Sequence, residues 1–277
     1  MMLKIRRVLP LLLLLALPVA PDGLAQDQDQ PRLGVIEQFE RHFAQFGGGA
    51  GFSSDIVLTN PSNFFSATGT ISFFDANGQA LEIELADDGM EGPVSSVNFE
   101  IQPGGGLRLR TDSAGPLSLG SASLSSGSIV GGVVRFRIPG VGIAGVPAAP
   151  SVEGAIAPVR QQDGIRTGLA IRNLSEGNLV VTLTLFTFEG VEVAGGIAAQ
   201  ALQLNARSAS FIDEIFDPLD LEGFEGVVVL EAEGPFAATA LELGDDTGEF
   251  TTLPVTPLEN VILLESQIKA LANQIEK

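Results

Sequence analysis

The sequence has no cysteine, no tryptophan, no tyrosine and a single histidine, His42. Each absence removes a class of function. Without cysteine there is neither a disulfide-stapled scaffold nor a thiolate nucleophile, so packed cores alone must hold the fold. Without tryptophan or tyrosine the chain lacks the aromatic faces on which sugar rings usually stack, leaving 17 Phe, most of which alternate into strand cores. One histidine and no cysteine leave only carboxylates to complete a zinc site. A Ser-His-Asp device needs its base beside an activated serine, and no nucleophile-elbow pattern accompanies His42. Cations are also scarce. Lys and Arg number 15 against 34 Asp and Glu, a net charge of −19 that argues against nucleic acid as a partner.

What is present is β patterning and punctuation. Hydrophobic residues make up 45% of the 277 residues, enough for packed cores, and 33 Gly with 16 Pro mark a turn-rich chain. Phe52 to Gly78 alternates apolar and polar residues on either side of Asn60-Pro61-Ser62. Ile165 to Gly190 repeats the phase around Asn173-Leu174-Ser175. Both stretches read as two half-buried strands around a turn. Leu33 to Phe46 reads as a leading strand, and Leu81 to Leu85 alternates as a hairpin mate for the strand before it. Further short strands are expected at Val97–Ile101, Leu107–Leu109, Ser121–Leu124 and Val133–Ile138. The second half adds Ala201–Leu204, Ala209–Ile212, Gly226–Glu231 and Ala237–Leu243, with a helical turn over Asp213–Pro218. The expected organisation is all-β: a first β-sandwich over 46–143, a linker over 144–158, a second sandwich over 159–256 and a C-terminal α-helix over 257–277.

Residues 1–25 have the three parts of a secretory signal: basic Lys4, Arg6 and Arg7, an apolar run from Val8 to Ala20, and small residues ending at Ala25. Cleavage there removes Lys4, Arg6, Arg7 and Asp22 and takes the net charge from −19 to −21. A short N-terminal segment, 26–45, then leads into the first sandwich. The expected location is secreted, periplasmic or extracellular, with no transmembrane segment after cleavage.

Phe46 with its following glycines, the Asn60-Pro61-Ser62 turn, Phe73-Phe74-Asp75 with Gly78, Ile101-Gln102-Pro103 and Ala144-Gly145-Val146-Pro147 form a recurring set. Asn173, Phe211-Ile212-Asp213-Glu214 and Phe224-Glu225-Gly226 are its members in the second half. In these residues the chain resembles tandem immunoglobulin-like β-sandwich repeats of secreted and surface proteins of environmental bacteria, over most of Phe46 to Pro257. The resemblance implies architecture and export, and it carries no activity with it. The Cys and Trp hallmarks of antibody domains are absent.

Few residues suggest chemistry. Asp87, Asp88 and Glu91, then Asp245, Asp246 and Glu249, and also Asp75 with Asn77, are oxygen-rich turns that suit calcium, a hard cation, although none has EF-hand spacing. The same residue types make ordinary turns. Arg108, Arg110, Arg135 and Arg137 form two Arg-x-Arg pairs, each projecting from one strand face. On neighbouring strands they would make a basic patch for a polyanion or an acidic partner, unless nearby carboxylates pair with them. Thr256-Pro257-Leu258-Glu259 reads as a helix start. Val261, Leu264, Ile268, Leu271 and Ile275 then form a seam for a weak coiled-coil homodimer or for docking on the second sandwich. The functional expectation is an exported, non-enzymatic structural or adhesive module. A ligand-binding accessory domain, calcium-dependent or not, is the alternative, and a hydrolase with an unrecognised carboxylate pair is the further one.

Overall fold

The structure, a computed structural model, describes residues 38–86, 92–138, 140, 142–244 and 250–258. The first half forms strands β1 (Phe39–Gly48), β2 (Ser53–Thr59), β3 (Ala67–Phe74), β4 (Ser96–Ile101), β5 (Gly106–Arg110), β6 (Ser118–Ser126), β7 (Gly131–Ile138) and β8 (Gly142–Pro147). These build two antiparallel four-stranded sheets, ordered β1-β6-β3-β4 and β5-β2-β7-β8. Inward residues of both, among them Phe43, Phe46, Ile56, Ile71, Phe73, Leu124, Val134 and Phe136, share one buried core. The alternation in the sequence is the cause. In β2, Ser54, Ile56 and Leu58 are buried while Ser53, Asp55 and Val57 are not.

The second half has β9 (Val152–Gln162), β10 (Ile165–Asn173), β11 (Leu179–Thr187), β12 (Glu192–Leu202), β13 (Arg207–Phe211), the short α1 (Ile212–Ile215), β14 (Phe224–Gly244), β15 (Phe250–Leu253) and β16 (Thr256–Pro257). Strand for strand, its pairings match those of the first half. β14 contributes twice: residues 224–231 lie between β9 and β11 as β6 lies between β1 and β3, and residues 236–244 lie beside β10 as β7 lies beside β2. A register shift between Glu231 and Phe236 marks where this one strand passes from pairing with β11 to pairing with β10, so that both layers of the second half belong to one continuous eight-stranded sheet. β12, β13 and β15 then take the places of β4, β5 and β8. The core gathers Val181, Leu183, Leu185, Val228, Leu230, Ile171 and Phe236.

Several expectations are corrected. Leu81 to Leu85 is no ladder strand. β4 and β6 occupy the edges of β3 over most of its length, so this stretch reaches β3 only at its end, where Leu81 N–H donates to Phe73 O at 3.0 Å, and otherwise makes the single bridges Ile83 to Val94 and Leu85 to Thr111. Of the expected linker, Ala144–Pro147 completes β8 and Val152–Pro158 opens β9, leaving residues 148–151 between them. Thr256 and Pro257, read as a helix start, are instead extended: Thr256 pairs with Ile156 and Pro257 with Ala155, because the edge of β9 offers free backbone groups there. The rest of the expected helix, residues 259–277, and the expected signal, residues 1–25, lie outside the described residues. The strand division also departs from the immunoglobulin constant type, whose first, second, fourth and fifth strands share a sheet. Here the first strand joins the third, fourth and sixth.

Both sandwiches belong to one compact unit. The outward positions of β10 and of the second half of β14 are buried like the inward ones: Ala170, Arg172, Ala237 and Thr239 are all at most 6% exposed. They lie against β1, β6 and the end of β3. The small side chains of Ala170 and Ala237 stand at two of these covered positions. At one end of this seam the turn Asp75–Gly78 meets the turn 203–207, where Ala76 O accepts from Arg207 N–H at 3.1 Å. Gly78 has φ +82°, and a Cβ there would stand 2.3 Å from Leu204 O, so the position serves both the turn and the approach.

Candidate functional site

The four sequence-selected arginines do come together. Register places Asp55, on central β2, opposite Arg110 on one side and Arg135 on the other, with Arg108 and Arg137 one row away. Arg108 Nη2 lies 2.7 Å from Asp55 Oδ2, Arg110 Nε 2.8 Å from Oδ1, and Arg135 Nη2 3.3 Å from Oδ2. Burial pulls the Asp55 carboxyl upward, but hydrogen bonds from Arg108 and Arg110 outweigh it and hold the group below its ordinary value. The partner carboxylate and the patch are therefore one cluster, in which a single Asp faces three guanidinium groups on an open sheet. Asp55→Ala is expected to lower unfolding stability by about 1–2 kcal/mol at low salt and by less in molar salt, where Arg–Arg repulsion is screened. Urea titrations at two ionic strengths check it; an equal loss at both would contradict the electrostatic account.

The same positions in the second sandwich carry different chemistry. Where Asp55 faces Arg110 and Arg135, Gly168 faces Phe211 and Leu241; where Val57 faces Arg108, Ala170 faces Ala209. Those two rows are apolar, and the next row on the same face, Arg172 opposite Arg207, enters the seam. The Arg face of the first sandwich is thus the open counterpart of a surface that is covered in the second.

Sequence reasoning missed the polar cluster inside the seam. His42 is 5% exposed, and its Nδ1 lies 3.0 Å from Ser123 Oγ, which also accepts from Arg172 Nη1 at 2.7 Å. Arg172 is 1% exposed and its guanidinium sits 4.2 Å over the Phe74 ring. Opposite it in register, Arg207 donates to Gln45 Oε1 at 2.6 Å. No carboxylate bonds to either arginine among the described residues. His42 Nε2, Arg172 Nε and Arg207 Nε have no partner there either. Burial, then the Arg172 and Arg41 charges, push the imidazole down to about 3, and burial brings Arg172 to about 10. A histidine held neutral, bonded to a serine that an arginine also occupies and lacking a carboxylate on its other nitrogen, is not arranged as a triad base. No local signal in the sequence marks Arg172, because alternation alone assigns it to solvent as it does Arg166 on the same strand face.

A cavity of about 310 Å³ opens along the seam, lined by Phe52, Phe136, Phe211, Leu241 and Phe250 with Gln45 and Glu214 among its polar groups. The calcium candidates Asp87, Asp88, Glu91, Asp245, Asp246 and Glu249 lie outside the described residues. Asp75 is a turn residue, its Oδ1 accepting from Asn77 and Gln79 N–H at 2.8 Å each. No helix among the described residues is long and apolar enough to cross a membrane. No protein-family model, curated protein or solved structure matches the chain.

Proposed function

We propose that the chain is an exported, non-enzymatic structural or adhesive module made of two copies of one immunoglobulin-like sandwich unit, alike in architecture though not in strand order. The observation that carries this reading is the seam. The sheet face that is covered in the second unit, where Ala170 and Ala237 are buried, is open in the first and carries the Asp55–Arg cluster, which suits a stack with a polar terminal face. Rigid stacking suits a spacer, and the open face with Arg135 and Arg137 gives it a surface for an acidic partner or a polyanion. A ligand-binding accessory role is the second reading, favoured by the apolar seam cavity.

Fractionation of native cells, mass spectrometry of the mature chain and pull-down from the envelope test the proposal. The expected result is an exported chain beginning at Gln26 that captures an envelope component, with capture lost in Arg135→Glu/Arg137→Glu. A chain retained in the cytoplasm with Met1 intact would overturn it. Retention of a small apolar molecule by the natural chain, reduced by Leu241→Trp in the cavity, would favour the second reading.

A further inference from the structure

The outward face of β1, β6 and β3 is covered by the second sandwich, but its counterpart on β9, β14, β11 and β12 has no described strand over it. Register runs one row straight across four strands: Ile156, Val229, Thr184 and Ile197. The next row holds Pro158, Val227 and Phe186. Ile197 is 59% exposed and Val180, at the rim, 55%. Glu231 flanks these rows on one side and the Arg160–Glu225 pair on the other, so the apolar residues form a two-row band across the sheet.

The last described residues arrive on that face. β16 runs along β9, and Leu258 N–H donates to Gly154 O at 2.9 Å. Gly154 precedes Ile156 by two positions and so lies on the same outward face, in the neighbouring row opposite Glu231. A Cβ on Gly154 would stand 3.2 Å from Leu258 Cβ, so the missing side chain makes room for Leu258 and brings the chain over the sheet. Beyond it, Val261, Leu264, Ile268, Leu271 and Ile275 recur at spacings of three and four and form one apolar stripe, with Glu265 and Lys269 off it. As a helix, residues 259–277 would be about 28 Å long, against about 30 Å for a nine-residue strand.

We propose that residues 259–277 lie across this face in the same chain, apolar stripe inward, which leaves the Arg face as the open end of the stack. The inference goes beyond the spacer reading, and its test does not depend on export or on any partner.

Two measurements on the full chain decide it. Trypsin cleavage after Lys269, followed by mass spectrometry as loss of residues 270–277, is expected to be at least tenfold faster in Thr184→Asp, which sets a charge under the stripe, than in the natural sequence. In Val229→Cys/Ile268→Cys, made in a chain with no cysteine of its own, a short bismaleimide is expected to link the two positions within one monomer. Equal cleavage rates in a folded Thr184→Asp protein would overturn the proposal. So would a cross-link found only between chains, which would give the segment to a dimer, or no cross-link at all. The cross-link alone decides if Thr184→Asp fails to fold.

Discussion

Asn173→Ala is expected to lower the free energy of unfolding by about 3 kcal/mol, and Asn60→Ala by a similar amount, because each removes a buried side chain that ties three loop segments together. Asn173 is 0% exposed, and its Nδ2 donates to Gly177 O at 2.7 Å, Gln203 O at 2.9 Å and Leu202 O at 3.3 Å. Its Oδ1 accepts from Ser175 N–H at 2.8 Å. Asn60, 2% exposed, repeats the arrangement with Phe65 O at 2.8 Å, Ile101 O at 3.0 Å, Gln102 O at 3.3 Å and Ser62 N–H at 3.0 Å. Alanine leaves those carbonyls facing one another without a donor. Asn173→Asp is expected to cost more than Asn173→Ala at neutral pH, since a carboxylate would meet three carbonyl oxygens, and the excess should vanish as pH falls and the group protonates. Urea denaturation of the three single variants, at pH 7 and pH 5, measures this. A loss below about 1 kcal/mol for both alanine variants would mean that water replaces the amide, and the shared role would fall.

These two asparagines also mark how far the sequence could be read. Asn60-Pro61-Ser62 and Asn173-Leu174-Ser175 were legible as matching turns, because apolar alternation stops at the same phase before each. That the side chain reaches Ile101 and Leu202, on strands far along the chain, follows only from the fold. Inward and outward sides were likewise legible in β2 and β11, and the Arg-x-Arg pairs could be placed on one face. What covers an outward face was not legible. Ala170 and Ala237 look like ordinary small surface residues, and nothing local separates the covered Arg172 from the open Arg135. The C-terminal start failed for another reason. Thr256 and Pro257 satisfy a local capping pattern, but a ladder on the edge of β9 outweighs a local preference worth about 1 kcal/mol.

The seam has a consequence for acid stability, because protonating His42 would add a third cation beside Arg172 and Arg41, with burial opposing it further. The folded value of about 3 lies below the ordinary 6.5, so the unfolded chain binds this proton more readily than the folded one. The sign follows. The stabilisation is fully present above about pH 6.5 and is lost as pH falls from there toward 3, where the folded protein also takes up the proton. At about 1.4 kcal/mol per pH unit, the loss between pH 6.5 and pH 4 comes to about 3 kcal/mol. Asp55, also held below its ordinary value, adds its own loss at acid pH, so the natural chain alone cannot isolate the histidine. The informative quantity is the difference between the natural chain and His42→Gln, whose amide can still bond Ser123 and does not titrate. Chemical denaturation from pH 7.5 to pH 4 is expected to show the two proteins converging, or crossing, as pH falls, with Asp55 cancelling in the comparison. Parallel curves would mean that His42 takes up its proton in the folded state at an ordinary pH. A carboxylate or water would then have to reach the seam between Arg172 and Arg207, and the two sandwiches would not be sealed against each other there.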